Sequence, residues 1–400
     1  MDIGNLFWFS EVQPWIYIVP TRISYIFQRE SFNSTTLNEV LATPYDVVLV
    51  DELFLPAQGS IGVALRKRHK TKIVLFATTV IYDFMAQGRA YGRNPVIKEN
   101  MFVKTYHPYF DASQFRYRFK HFVDTIIEFA ISPVVSFYHQ LAAVVVDVCL
   151  TRSSIYKVIG KLTGKLTGNR TVYYGGCCPC RKRCCPCKTS PAHYIRQFRP
   201  VLIKSMSANT ASVSAKELSD DLKAFVEDPS SKGTIYIAFG SIMQWDSGPK
   251  GVQEMFLSAL ERLADYRIIW SYNGRPLSDY GGHIRLLKWA PQNDILAHNK
   301  TVLFFTHAGI KSLKEGFCAG VPLLVLPFFA DQAMNTMLCI KNGFAESVDK
   351  RALSADLLFD KMTTILTIPS YRENIQRYKK HFTDTPMDAL EEGVWHVDKV

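Results

Sequence analysis

Between residues 234 and 366 short apolar runs alternate with amphipathic runs, and few folds accept that pattern. Residues 234–239, 267–271, 284–289, 302–306 and 322–327 read as strands, rich in Ile, Leu, Val and Phe and short enough to be buried on both faces. Residues 251–264, 294–298, 310–319, 331–342 and 354–366 read as helices. The alternation implies an α/β unit: an open parallel sheet with helices on both faces and ligands at the carboxyl ends of its strands.

A smaller version occurs near the start. Residues 46–51 read as a buried strand ending in the carboxylate of Asp51, residues 61–68 as a helix and residues 72–78 as a second strand, a βαβ unit. A mixed helical region is expected over roughly 111–160. Residues 161–232 then turn to Gly, Ser, Thr, Cys and Lys with little periodicity before 217–226, so two domains are expected, 1–215 and 216–400. Four hundred residues suit two cores, and 48% hydrophobic against 21% charged residues excludes a disordered chain. Residues 384–400 read as a last amphipathic helix, with Met387, Leu390, Val394 and Val397 on one face.

The formal charge of +11 raises the question of nucleic acid. The basic clusters are short, Arg66-Lys67-Arg68-His69-Lys70 and Arg181-Lys182-Arg183. No zinc-finger, RRM or KH pattern accompanies them and no aromatics interleave them, so no nucleic-acid partner is expected. A basic chain also suits small anionic substrates. The first residues lack the basic and apolar regions of a signal peptide. Residues 131–150 are apolar but carry Pro133, His139, Gln140 and Asp147, which reads as a buried or interfacial helix. Six of the nine cysteines fall in a small duplication at 177–187. Crowded thiols can hold a soft metal or carry lipid, but this spacing is not that of a zinc ribbon, and a surface insert without chemistry explains it as well. No metal site is assigned.

The residues that carry chemistry cluster late in the chain. Thr306-His307-Ala308-Gly309 joins an apolar strand to an amphipathic helix through small residues, a turn that presents backbone N–H groups and a helix N-terminus to an anion, typically phosphate. Ser312 and Glu315 lie three apart on the helix face away from Ile310, Leu313 and Phe317. Ser312 can donate to a phosphate oxygen and Glu315 can accept from a pair of ribose hydroxyls. An ordinary strand–helix turn with a surface Ser and Glu would look the same in isolation. Nearby, Trp289 offers a face for a base and Gln292 an amide. Asp331 and Gln332 suit sugar hydroxyls, and Ser241 follows the first strand of this half at Phe239-Gly240.

Taken together these residues form W-x-P-Q-x-x-x-L-x-H from Trp289, T-H-x-G-x-x-S-x-x-E from Thr306, G-V-P-x-x-x-x-P from Gly320, and Asp331-Gln332. The set resembles the donor-binding signature of the UDP-glycosyltransferases, including the UDP-glucuronosyltransferases, and the resemblance covers most of 40–110 and 215–400. It implies a GT-B arrangement, two Rossmann-like domains facing a cleft, with an incomplete N-terminal acceptor domain and a C-terminal donor domain. By resemblance, Trp289 stacks on uracil and Gln292 bonds the ribose or base. His307, Ser312, Ser241 and the amides around Gly309 contact the diphosphate, Glu315 holds the ribose, and Asp331 and Gln332 hold the transferred sugar. The donor would be UDP-glucuronate or UDP-glucose, the acceptor a small lipophilic alcohol or phenol, and no cofactor or metal is expected. Ala308 and Lys311 stand where the family usually has glycine and asparagine. The alanine is expected to bring a methyl close to the phosphates, and the lysine to add attraction.

In this family an N-terminal histidine takes the acceptor's proton and an aspartate orients it. Asp51 matches that aspartate, but no histidine precedes it and the first is His69. The resemblance therefore implies a chain shortened at both ends, with two readings open. One is a transferase that performs inverting transfer, the other a catalytically impaired form that binds UDP-sugar or forms homo- or hetero-oligomers with related transferases. Loss of the base would cost about 10²–10⁴ in rate. Sequons at Asn33, Asn169 and Asn299 and the family's habit point to the luminal side of the endoplasmic reticulum membrane.

Overall fold

In a computed structural model, the described residues are 35–51, 55–77, 203–204 and 216–399, apart from 242, 330 and 385, together with the single positions 8, 115, 116, 119 and 123. The helical region at 131–150, the cysteine-rich insert and the sequons at Asn33 and Asn169 lie outside them. The chain divides into two compact units. One comprises Met1–Gln13, Pro95–His121 and Ser205–Glu392, the other Pro14–Asn94, Phe122–Lys204 and Gly393–Val400.

In the second of these units α1 (Thr35–Ala42) leads to β1 (Val47–Asp51), α2 (Leu55–His69), β2 (Lys72–Ala77) and β3 (Ile203–Lys204). The three strands are parallel in the order β1-β2-β3, with Val47 opposite Lys72 and Phe76 opposite Ile203. Ala64 and Leu65 of α2 close over Val48 and, with Leu41 of α1, make a small core. The βαβ unit expected from the sequence is present, with a helix that begins six residues earlier than its periodicity suggests.

The larger unit holds the sheet that positions the site. Its elements are α3 (Asp220–Val226), β4 (Thr234–Ala238), α4 (Val252–Glu261), β5 (Arg267–Ser271), β6 (Ile284–Leu287) and α5 (Gln292–Ala297). There follow β7 (Thr301–Thr306), α6 (Ile310–Ala319), β8 (Leu323–Val325), α7 (Gln332–Lys341) and β9 (Ala345–Ser347), then α8 (Ala355–Thr367) and α9 (Pro369–Thr383). The last helix, α10 (Ala389–Asp398), begins in this unit, and its residues from Gly393 onward are counted with the other. All six strands are parallel, in the order β6-β5-β4-β7-β8-β9. Counted within the unit this is 3-2-1-4-5-6, the Rossmann order.

Alternation along the strands builds two cores. Ile235 and Ile237 of β4, Leu303 and Phe305 of β7 and Leu324 of β8 face α4 and α8, where Phe256, Leu260, Leu358 and Met362 meet them. Their neighbours Tyr236, Ala238, Phe304, Leu323 and Val325 face the opposite side, against Ile295, Leu313, Phe317 and Ile375. Every residue of β4 is buried, as a central parallel strand requires.

Two elements of the larger unit have no counterpart in the sequence reading. β9 is only three residues long, and α9 shows a narrow apolar stripe of Ile375, Tyr378 and Phe382 on an otherwise polar sequence. The strand expected over 284–289 stops at Leu287, because its partner β5 ends at Ser271, opposite Leu287. The apolar face of α10 is largely open, with Leu390 and Val394 both exposed. Among the described residues no helix is long and apolar enough to cross a membrane.

Candidate functional site

β4 and β7 lie side by side at the centre of the sheet, and the strands that follow each run outward in opposite directions. A crevice opens at the carboxyl ends of such a pair. Two turns meet there. The turn after β4 contains Gly240 at φ 73°, a left-handed conformation suited to glycine, followed by exposed Ser241. The turn after β7 carries His307, and its imidazole lies between the two turns. A Cβ on Gly240 would come within 3.1 Å of His307 Cε1, and one on Gly309 within 2.5 Å of Nε2. Glycine at both positions is what makes room for the ring.

Burial holds the His307 pKa down to about 4, so the ring is neutral at pH 7. Its Nδ1 and the neighbouring Thr306 Oγ1 are enclosed with no hydrogen-bond partner among the described residues. With no acceptor near Nδ1, the tautomer protonated at Nε2 costs less, and it presents an N–H between the two glycines. Beside it starts α6. Gly309 is its N-cap in an extended conformation, no side chain caps the helix, and no acidic residue stands in its first turn. Instead Lys311 is there, exposed. Open amides, the positive helix end, a neutral imidazole donor and an ammonium suit a diphosphate.

Ala308 corrects an expectation. It is fully buried, and its side chain belongs to the apolar cluster that includes Leu313 and Ile295, so the methyl points away from any phosphate. The substitution acts on the backbone instead. Ala308 sits at φ 63°, where an L-residue costs about 1–2 kcal/mol.

The nucleoside end is already organised. Gln292, the first residue of α5, donates from Nε2 to Ser312 Oγ at 3.2 Å and to the Glu315 carboxylate. Tyr236 Oη, buried on β4, donates to Gln292 Oε1 at 3.3 Å and so fixes which way the amide faces. Burial raises the Glu315 pKa, and the bond from Gln292 works against that rise. Trp289 projects from the loop after β6 at 82% exposure, unusual for a tryptophan and suited to stacking on a base.

The third part follows β8. Asp331 and Gln332 are both buried. Gln332 Oε1 accepts from the amides of Phe328 at 2.7 Å and Phe329 at 3.1 Å, so its carbonyl shapes the loop. Lys350 donates to the Phe328 carbonyl at 3.1 Å from the other side. Asn335, one turn along α7, donates from the same Nδ2 to Asp331 Oδ2 and to the Ala308 carbonyl, both at 2.9 Å.

The fold thus brings Ser241, Trp289, Gln292, His307, Gly309, Ser312, Glu315, Asp331 and Gln332 to the carboxyl end of one sheet. Asp51 ends β1, opposite Phe76, in the other unit. The sequence reading missed Tyr236 and Asn335. Tyr236 hides in an apolar strand, whereas Asn335 could have been found from its spacing of four to Asp331 on a helix. Among the described residues no cluster of His, Cys, Asp or Glu is placed to hold a metal ion.

Comparison with known proteins gives the family and the fold. Residues 192–400 match the family described as UDP-glucoronosyl and UDP-glucosyl transferase, and the chain belongs to that family. It is 32% identical over 186 residues to UDP-glucuronosyltransferase 2B15 of Homo sapiens, which covers 46% of this chain and 34% of that protein. It is 31% identical over 208 residues to UDP-glucuronosyltransferase 1A3 of Rattus norvegicus, covering 52% and 38%. The chain therefore spans little more than a third of the length of these relatives. Among solved structures, glycosyltransferase VinC in complex with dTDP is similar at TM-score 0.52 and 14% identity, covering 96% of this chain and 81% of that one. The glycotransferase of kitacinnamycin gives TM-score 0.52 at 13% identity, covering 91% and 79%. The fold is of the GT-B kind, with two Rossmann-like parallel-sheet units.

Proposed function

We propose that the chain binds a UDP-sugar at the carboxyl end of the β4–β7 pair and transfers the sugar, with inversion, to a hydroxyl of a small hydrophobic acceptor. The observation that carries this reading is the sequence of chemistries along one crevice. An exposed indole at Trp289, the bonded amide and carboxylate of Gln292 and Glu315, the uncapped N-terminus of α6 and the carboxylate of Asp331 offer partners, in turn, for the base, ribose, diphosphate and sugar of a nucleotide-sugar. UDP-glucuronate and UDP-glucose both fit that order. Asp51 is the residue offered for orienting a base. The luminal face of the endoplasmic reticulum membrane is the proposed location, and Asn299 of the third sequon is exposed in the turn between α5 and β7.

A second reading, a UDP-sugar-binding form without transferase activity, would use the same donor site. Calorimetric titration of UDP, with Glu315→Ala as control, tests the donor site common to both readings. Binding in the micromolar to millimolar range that the variant loses supports it, and no binding by folded protein removes it. Turnover of a phenol with UDP-sugar, abolished in Glu315→Ala, then decides for the transferase.

A further inference from the structure

We infer that Trp8 is a positioning residue: it braces the loop that carries Asp331 and Gln332, and the grip on the transferred sugar depends on it. The inference rests on the donor-site reading given above. Met1–Gln13 is counted with the unit that holds the donor site. Trp8 is 3% exposed there and belongs to the core cluster of Ile237, Phe239, Trp245 and Phe328. Its Nε1 donates to the Gln244 carbonyl at 3.2 Å, across 236 positions of sequence. Its ring meets Phe328 edge-on, with centroids 4.9 Å apart, and Trp245 at 5.8 Å. A Cβ on Gly248 would come within 3.0 Å of its Cε2, so the indole lies close against that backbone.

A buried indole N–H must find an acceptor, and the Gln244 carbonyl supplies it. That bond sets the direction in which the ring faces Phe328. Phe328 lies between β8 and α7, and its backbone anchors the loop. Its N–H donates to Gln332 Oε1 at 2.7 Å, and its carbonyl accepts from Lys350 at 3.1 Å. Its side chain is held by rings, that of Trp8 and that of Phe239, the latter with centroids 5.9 Å apart. In an interior packed this closely, a lost side chain is felt as a shift of its neighbours. Without the indole Phe328 moves, Gln332 follows through its bond, and Asp331 follows as the adjacent residue. The turn after β4 is held separately. Asn273 donates to the Met243 carbonyl at 2.7 Å and accepts from the Trp245 amide at 3.4 Å. The base and ribose partners Trp289, Gln292 and Glu315 lie outside the aromatic cluster. Loss of Trp8 therefore loosens the hold on the sugar and spares the hold on UDP.

The test is calorimetry of UDP and of UDP-glucose on the full chain, on Trp8→Ala, on Trp8→Phe and on Leu260→Ala, with thermal melts alongside. Leu260 is buried in the same core on α4, and its loss supplies a destabilised control. Trp8→Leu keeps the site apolar and serves where the alanine variant does not fold. In Trp8→Ala the affinity ratio of UDP-glucose to UDP should fall about tenfold relative to wild type, the loss that follows a misplaced charge-assisted hydrogen bond. UDP affinity itself should stay within about twofold, since its partners keep their places. Trp8→Phe retains a ring edge against Phe328 and should restore most of the ratio. Leu260→Ala should lower the melting temperature and leave the ratio unmoved, which separates positioning from general stability. A ratio that survives in folded Trp8→Ala or Trp8→Leu, or that falls equally in Leu260→Ala, overturns this inference alone. Failure of the folded wild-type chain to bind either nucleotide removes the donor-site reading, and this inference with it.

Discussion

The imidazole of His307 fills the space that a side chain at Gly309 would occupy, Nε2 lying 2.5 Å from where that Cβ would stand. Gly309 has φ −63°, a conformation open to any residue, so its need for glycine comes from the ring and not from the backbone. Gly309→Ala should therefore displace His307 while leaving α6 able to form. We expect a stability loss of about 1–3 kcal/mol, typical of overpacking, together with weaker UDP binding. The combination Gly309→Ala with His307→Ala should recover most of the stability and none of the affinity. Urea melts and UDP titrations of the single and double variants check both.

His307 also sets a pH dependence. Its pKa is about 4 in the folded chain, against about 6.5 for a free imidazole. Between those values the unfolded chain carries more protons on this residue than the folded one, so stability rises with pH. The contribution is complete above about pH 6.5 and is lost as pH falls toward 4, with about 3 kcal/mol as its upper bound. Glu315 works against it, because burial raises its pKa and its contribution falls as pH rises through the same acid range. The difference between wild type and His307→Gln isolates the histidine. Thermal melts from pH 4 to pH 7 should show a steeper dependence for wild type, and equal slopes would mean that the ring is solvated.

Ala308 separates backbone from side-chain effects. Glycine there would relieve about 1–2 kcal/mol of left-handed strain. It would also remove a buried methyl, worth about 0.8 kcal/mol, and add about 0.5–1 kcal/mol of unfolded-chain freedom. These nearly cancel, so Ala308→Gly should shift stability by less than about 1 kcal/mol. Ala308→Val should be far worse, since a β-branched residue scarcely tolerates positive φ. UDP affinity in Ala308→Gly should stay close to wild type, because the methyl faces the core. A large gain in affinity would mean that the methyl meets the phosphates after all.

What the sequence shows of this site follows from what kind of interaction holds each part. The strand–turn–helix at 302–319 is legible because its apolar residues keep strict periods and its turn is made of small residues, and the structure places β7 and α6 there. Glu315 and Ser312 are legible as a pair because the helix period fixes their common face. The direction of the Ala308 methyl is not, because it depends on a backbone dihedral that alanine rarely adopts. Nor is the role of Tyr236, whose hydroxyl reaches Gln292 across the sheet, 56 residues away in sequence. α9 escapes notice because its buried stripe is three residues wide on a polar helix, whereas its Pro369 start is a helix signal in plain sight.

Trp289 gives the sharpest division between binding and folding. A tryptophan left 82% exposed contributes little to the core, so Trp289→Ala should leave the melting temperature within about 1 °C of wild type. Stacking of a base on an aromatic side chain is worth about 1–3 kcal/mol when measured by alanine substitution. UDP affinity should accordingly fall by roughly 5- to 150-fold. Phenylalanine keeps a ring face and should recover much of that loss, while leucine, similar in bulk but without a π-face, should recover little. The pattern Trp > Phe > Leu ≈ Ala in UDP affinity, at constant stability, is the signature of a stacked base. Equal affinities across the four would place the base elsewhere, and Gln292 with Glu315 would then have to hold the nucleoside through the ribose alone.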